Sequence, residues 1–146
     1  MVNRFFIESS PDKPNDDQFV VFGMKWLTDQ PEKALLYVPD ANKLENSYLS
    51  KCYSPELGKE FRKKMSIKFG EKNINVITKT TIKPLLDLVN VFVCWGDDHY
   101  DNAIPKIEET YNINSILVFP WNPKTDIIDW KLKYNPIQLF IKKYSD

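Results

Sequence analysis

Hydrophobic positions along this chain alternate between two periods. Over "QFVVFGMKWLTDQ" (residues 18–30), Phe19, Phe22, Gly23 and Trp26, with Val20 and Leu27 beside them, recur at helical spacing, and Pro31 stops the pattern. A continuous apolar run follows at 34–38, "ALLYV", ended by Pro39 and Asp40, as in a strand buried on both faces. A helical stretch then places Leu44, Tyr48, Leu49 and Cys52 on one side. Ser54-Pro55-Glu56 is a second helix start, with a capping Ser before a Pro at the first helical position, and Gly70 sits where that helix would end.

"NINVIT" (73–78) is the next strand. Thr80 or Thr81 caps a short helix over "IKPLLDLV" (82–89), which delivers the chain to the strand "VFVCW" (91–95). "NAIPKIEETYNI" (102–113) is helical, with Ile104, Ile107 and Tyr111 on one face, and leads to the strand "SILVFP" (115–120). "IIDWKLKY" alternates Ile128, Trp130, Leu132 and Tyr134 against Asp129, Lys131 and Lys133, as an edge strand would. Asn135-Pro136 then starts a last helix with Ile137, Phe140, Ile141 and Tyr144 inward.

Short apolar strands separated by helices are the signature of a parallel sheet covered on both faces. The expectation is a three-layer, Rossmann-like α/β domain: a mainly parallel sheet of four or five strands flanked by helices, with right-handed crossovers. One domain spans 1–146, and "SSPDKPNDD" (9–17) is its most loop-like segment, with Asn15 or Asp16 able to cap the first helix.

Composition narrows the setting. A hydrophobic fraction of 42% suits a globular chain, and 10 Pro against 4 Gly favour defined turns over flexible linkers. Twenty Lys+Arg balance twenty Asp+Glu, so no global field draws the protein to nucleic acid or anionic lipid. The basic stretch "GKEFRKKMSIK" (58–68) surrounds apolar Leu57, Phe61 and Met65 and reads as the solvated face of an amphipathic helix. Cys52 and Cys94 are too few for a disulfide framework, and no signal-like or membrane-length apolar run occurs. A reducing, cytoplasmic compartment is expected, with no membrane association.

In open parallel sheets ligands bind outside the carboxyl ends of the strands, where strand order reverses. That rule selects three loops: Asp40 and Asn42 after the first inferred strand, the "GDDHYD" segment (96–101) after Trp95, and Trp121-Asn122 after the fourth strand. Asp97 and Asp98 suit Mg²⁺, a ribose or an acid/base division, and one acid here must also start the following helix. His99, the sole histidine, has the side-chain type that titrates near neutrality and suits a general acid or base, although a lone histidine beside carboxylates is more often a surface residue with an ion-pair partner. Trp95 and Trp121 offer stacking faces or core lids. Asp97, Asp98 and His99 are the candidate catalytic residues; Asp40, Asn42, Trp95, Trp121 and Asn122 are the candidate ligand contacts.

No strand is followed by G-x-G-x-x-G or G-x-x-x-x-G-K-[ST], and no G-x-S-x-G elbow is present, so ordinary dinucleotide, P-loop and serine-hydrolase chemistry is not expected. No spacing of Cys and His describes a metal cage, and no cofactor can be named. The acidic 97–101 segment disfavours a bare phosphate and suits hydroxyl-rich or cationic ligands. Three readings follow: a site for a small nucleoside- or sugar-like ligand, with hydrolase or glycosyl-transfer activity if it is an enzyme; a non-catalytic inhibitor, immunity-type or regulatory protein anchored by Trp26, Trp121, Trp130 and Tyr134; and a metal nuclease using Pro39-Asp40 with Asp129-Trp130-Lys131.

Overall fold

The computed structural model describes residues 2–8, 17–39, 56, 59, 63–69, 71–94, 103–120 and 127–140. Among these, seven strands form one sheet: β1 (Asn3–Phe6), β2 (Lys33–Tyr37), β3 (Ser66–Phe69), β4 (Lys72–Ile77), β5 (Leu88–Cys94), β6 (Asn112–Phe119) and β7 (Ile137–Gln138). Their order across the sheet is β3-β4-β2-β5-β6-β1-β7. Every neighbouring pair is parallel except β3 with β4. Three helices accompany them, α1 (Asp17–Asp29), α2 (Ala103–Thr110) and α3 (Ile128–Tyr134). Glu56, Lys59, Lys63 and Lys64 are also helical. The expected α/β architecture is present, with six parallel strands and one antiparallel strand in place of four or five.

The strands read as unbroken apolar runs because helices cover both faces. On one face Val20, Met24 and Leu27 of α1 pack with Leu36, Phe92, Cys94, Leu117 and Phe119. On the other, Ile104 and Ile107 of α2 and Trp130 of α3 pack with Leu35, Tyr37, Val91, Val93 and Val118. Alternate residues of each central strand therefore serve opposite cores. The path is consistent with this layering: β1 leads through α1 three places across to β2, whereas β5 and β6 lead through α2 and α3 in the opposite direction on the opposite face. Opposite travel on opposite faces is what a single crossover hand requires.

The structure departs from the sequence expectations at six points. The N-terminal strand β1 was not foreseen, since Phe5, Phe6 and Ile7 make too short a run to stand out, yet it lies between β6 and β7. The alternating 127–134 segment is helix α3, not an edge strand; Ile127, Trp130 and Tyr134 also recur at helical spacing, and burying them against the sheet leaves Leu132 80% exposed. Asn135, expected to start a helix, ends one. It is the left-handed cap of α3, and the following Ile137–Gln138 pairs with β1 as strand β7, while Ile141 and Tyr144 lie outside the described residues.

The helix expected to reach Gly70 gives way at Met65, whose φ of 52° breaks the helical path, and Ser66–Phe69 turns back on β4 as β3. The helix expected over 82–89 is absent. A crossover from the end of β4 to the start of β5 must cover the length of a strand, about 20 Å, and two strand spacings, about 10 Å. Ten residues (78–87) wound as a helix would advance only about 15 Å, so this connection is extended. Ile82 and Leu85 pack into the core beneath α2 and α3, and the Lys83 N–H donates to the Tyr111 hydroxyl at 3.1 Å. The loop expected over 9–17 gives up Asp17 to α1; residues 9–16 and Leu44, Tyr48, Leu49 and Cys52 lie outside the described residues.

Candidate functional site

The carboxyl ends of β2, β5 and β6 lie side by side. Tyr37 pairs with Val93, and Val93 with Val118. At about 4.8 Å per strand, the outer two of these ends are about 10 Å apart. β1 joins on the far side of β6, with the Ile7 N–H donating to the Val118 carbonyl at 3.0 Å. Pro39, Cys94, Pro120 and Glu8 thus mark one continuous edge. The residues expected to act there, Asp40, Asn42, Trp95, Asp97, Asp98, His99, Trp121 and Asn122, all lie outside the described residues. What the structure contributes is the adjacency of the strand ends from which their segments depart.

The strand order also identifies where connections diverge. β1 feeds α1 on one face and its neighbour β6 feeds α3 on the other, so the gap between their carboxyl ends is the crevice that such sheets use for ligands. Two charged residues stand beside it: Glu8, not singled out from sequence, and Lys131, read there only as part of an Asp-x-Lys pattern. The Lys131 ammonium of α3 pairs with the Glu8 carboxylate just beyond β1, both about a quarter exposed, and sits 4.5 Å from the Phe6 ring centroid. Ile127, fully buried, enters α3 at φ 56°, a left-handed conformation uncommon for a β-branched residue. Glu8 was legible only with β1 in place, because its interest comes from ending a parallel strand.

At the opposite end of the sheet a second polar group serves structure. Val89 pairs with Ile113 and Asn90 with Ser115, so Asn114 is an extra residue in β6. The bulge lets Asn114 Nδ2 donate to Asn90 Oδ1 and Glu32 Oε1, each at 3.0 Å. Buried Asn90 donates to Glu32 at 3.0 Å and accepts from the Ser115 hydroxyl at 2.5 Å. These bonds satisfy the network from within and leave it no evident task for a ligand.

Other sequence candidates change character. Trp130 is buried, donating through Nε1 to Glu108 at 2.8 Å, so it is not an exposed anchor for a partner. Tyr134 is half covered by Arg4, whose guanidinium lies 3.7 Å from its ring centroid, and Trp26 packs edge-on against Phe5. Asp129 and Lys131 stand two apart on a helix, a spacing that turns them to different sides, and Lys131 is paired with Glu8; the strand-borne Asp-x-Lys arrangement of a nuclease does not form. In the basic 58–68 stretch, Lys59, Lys63, Lys64 and Lys68 are exposed while Met65 packs toward α1. Among the described residues no three His, Cys, Asp or Glu gather as a metal site, and no helix is long and apolar enough to cross a membrane. No family model, curated protein or solved structure matches the chain at a significant level.

Proposed function

We propose that this protein binds a small hydroxyl-rich ligand of nucleoside or sugar type at the carboxyl edge of its sheet, in a cytoplasmic setting. The observation that carries the reading is the adjacency of the β2, β5 and β6 ends, next to a β1/β6 gap where α1 and α3 depart to opposite faces. The segments leaving those ends are rich in side chains that bind hydroxyls and rings. In this reading Asp40, Asn42, Trp95, Trp121 and Asn122 hold the ligand. Asp97 and Asp98 accept hydrogen bonds from its hydroxyls, and His99 moves the proton if a glycosidic bond is cleaved or transferred.

The test is a thermal-shift screen of the full chain against adenosine, ribose, glucose and Mg²⁺, repeated on Asp97→Asn and His99→Ala. A ligand at about one hundred times its Kd adds about 2.7 kcal/mol, enough to raise the midpoint by several degrees at this size. A shift lost in Asp97→Asn supports the site. A shift unchanged in both variants removes these residues from it. No shift with any probe overturns the small-ligand reading and turns attention to a protein partner.

A further inference from the structure

The turn that leaves β4 carries an unusual concentration of hydrogen-bond donors. It lies on the same edge as the proposed site, next to β2, because the Val38 N–H donates to the Ile77 carbonyl at 3.1 Å immediately before the turn begins. Thr78, Lys79, Thr80 and Thr81 form it, closed by the Thr81 N–H on the Thr78 carbonyl at 3.0 Å. The buried Thr78 hydroxyl lies 3.2 Å from both the Thr80 and the Thr81 hydroxyls, and Thr81 Oγ1 accepts the Thr78 N–H at 2.8 Å.

Three hydroxyl groups own three protons, and the two contacts between them use two. One O–H therefore remains to donate elsewhere. The N–H groups of Lys79 and Thr80, the two central residues of the turn, have no acceptor among the described residues, and neither do the exposed ammonium groups of Lys79 and Lys83. No acid falls within 78–83. The turn thus offers N–H, hydroxyl and ammonium donors with no carboxylate beside them, the reverse of the acidic segment that follows β5.

We propose that this turn is an oxyanion subsite taking the phosphate of a sugar phosphate or nucleotide. The inference rests on the ligand reading above and specifies its substrate class. β4 and β5 are two strand spacings apart, about 10 Å, so the donor-rich turn and the acid-rich segment start at a separation suited to the two ends of one such molecule. The phosphate meets backbone N–H, hydroxyl and ammonium donors, and the hydroxyls meet carboxylates. The donor-rich turn takes the phosphate that the carboxylates would repel.

The experiment is an amide NMR titration of the full chain with inorganic phosphate, ribose, ribose 5-phosphate, adenosine and adenosine monophosphate. Lys79→Ala and Thr80→Val are the variants, both at exposed positions where folding is spared. The expected result is movement of the Lys79 and Thr80 amide signals with the phosphorylated probes only, and about tenfold weaker binding of those probes in each variant. Ribose or adenosine binding, with no gain from the phosphate and no movement at Lys79 and Thr80, overturns the subsite while leaving the ligand site. Inorganic phosphate alone moving these amides, with no sugar or nucleoside response, supports an oxyanion subsite and removes the sugar or nucleoside ligand. No response to any probe overturns both.

Discussion

Gly23 of α1 rests directly on the ring of Phe92 in β5: a Cβ at position 23 would lie 2.0 Å from Phe92 Cζ and 2.3 Å from Cε2. The ring belongs to the fully buried core between α1 and the sheet, so it has nowhere to move. This contact sets how closely the helix approaches the central strand. Alanine at 23 would gain about 1 kcal/mol of helix propensity over glycine. Overpacking costs about 1–3 kcal/mol, and so severe an overlap belongs at the upper end. Gly23→Ala is expected to be destabilised by about 2 kcal/mol in urea unfolding, and Gly23→Ala with Phe92→Leu to lose less than the sum of the two single changes. Equal stability of Gly23→Ala and the parent chain would show that the helix sits further from the sheet.

Asn90 offers a second test. Removing its side chain as Asn90→Ala strips the acceptor from the buried Ser115 hydroxyl and from Asn114 and opens a cavity; a loss of about 3 kcal/mol is expected. Ser115→Ala removes a donor that Asn90 can spare, because Asn114 still serves it, and should cost about 1 kcal/mol. The double variant should fall short of additivity, as expected for one network, and additive losses in denaturant unfolding would argue that the two groups act apart.

Ion pairs in this protein should divide by burial. Glu108 takes Arg4 Nη2 at 2.6 Å through one oxygen and the Trp130 indole N–H through the other, with only 10% of its side chain exposed. Glu108→Ala strands both donors and should cost about 3 kcal/mol; Glu108→Gln keeps an acceptor and should cost less. The Lys25–Asp29 pair, 76% and 61% exposed, should contribute under about 0.5 kcal/mol and weaken further with salt. Thermal unfolding of Glu108→Ala and Lys25→Ala at low and high salt checks the contrast, which similar losses for both would contradict.

The left-handed cap of α3 is testable at an exposed position. Asn135, at φ 47°, donates its N–H to the Lys131 carbonyl and tolerates a conformation that most side chains resist. Asn135→Gly should leave the melting temperature unchanged or slightly raised, whereas Asn135→Val should lose about 1–2 kcal/mol. Equal melting temperatures for the two variants would place the residue in an ordinary conformation.

Sequence pattern served well where a segment's burial is decided along its own length. "ALLYV" and "VFVC" are apolar at every position because both faces of β2 and β5 are covered, and 18–30 carries one apolar stripe because α1 has one covered side. Pattern failed where two periods fit the same residues. Ile127, Trp130 and Tyr134 suit a helix, and Ile128, Trp130, Leu132 and Tyr134 suit a strand; only the need to cover the β6–β1–β7 face chose between them. For the site, the loops after Pro39, Cys94 and Pro120 were legible as strand ends, but Glu8, its pairing with Lys131 and the Thr78–Thr81 turn were not, because their interest depends on which strand lies next to which.

The sequence by itself determined that this chain alternates helices with doubly buried strands, and hence that it forms a covered, mainly parallel sheet with polar segments after its strands. Tertiary structure alone decided the order β3-β4-β2-β5-β6-β1-β7, the insertion of a four-residue N-terminal strand beside β6, and the extended route from β4 to β5. Local burial is written into each segment's own hydrophobic period, whereas strand neighbours are chosen by long-range fit: connection length against the distance to be spanned, and the areas left for each helix to cover.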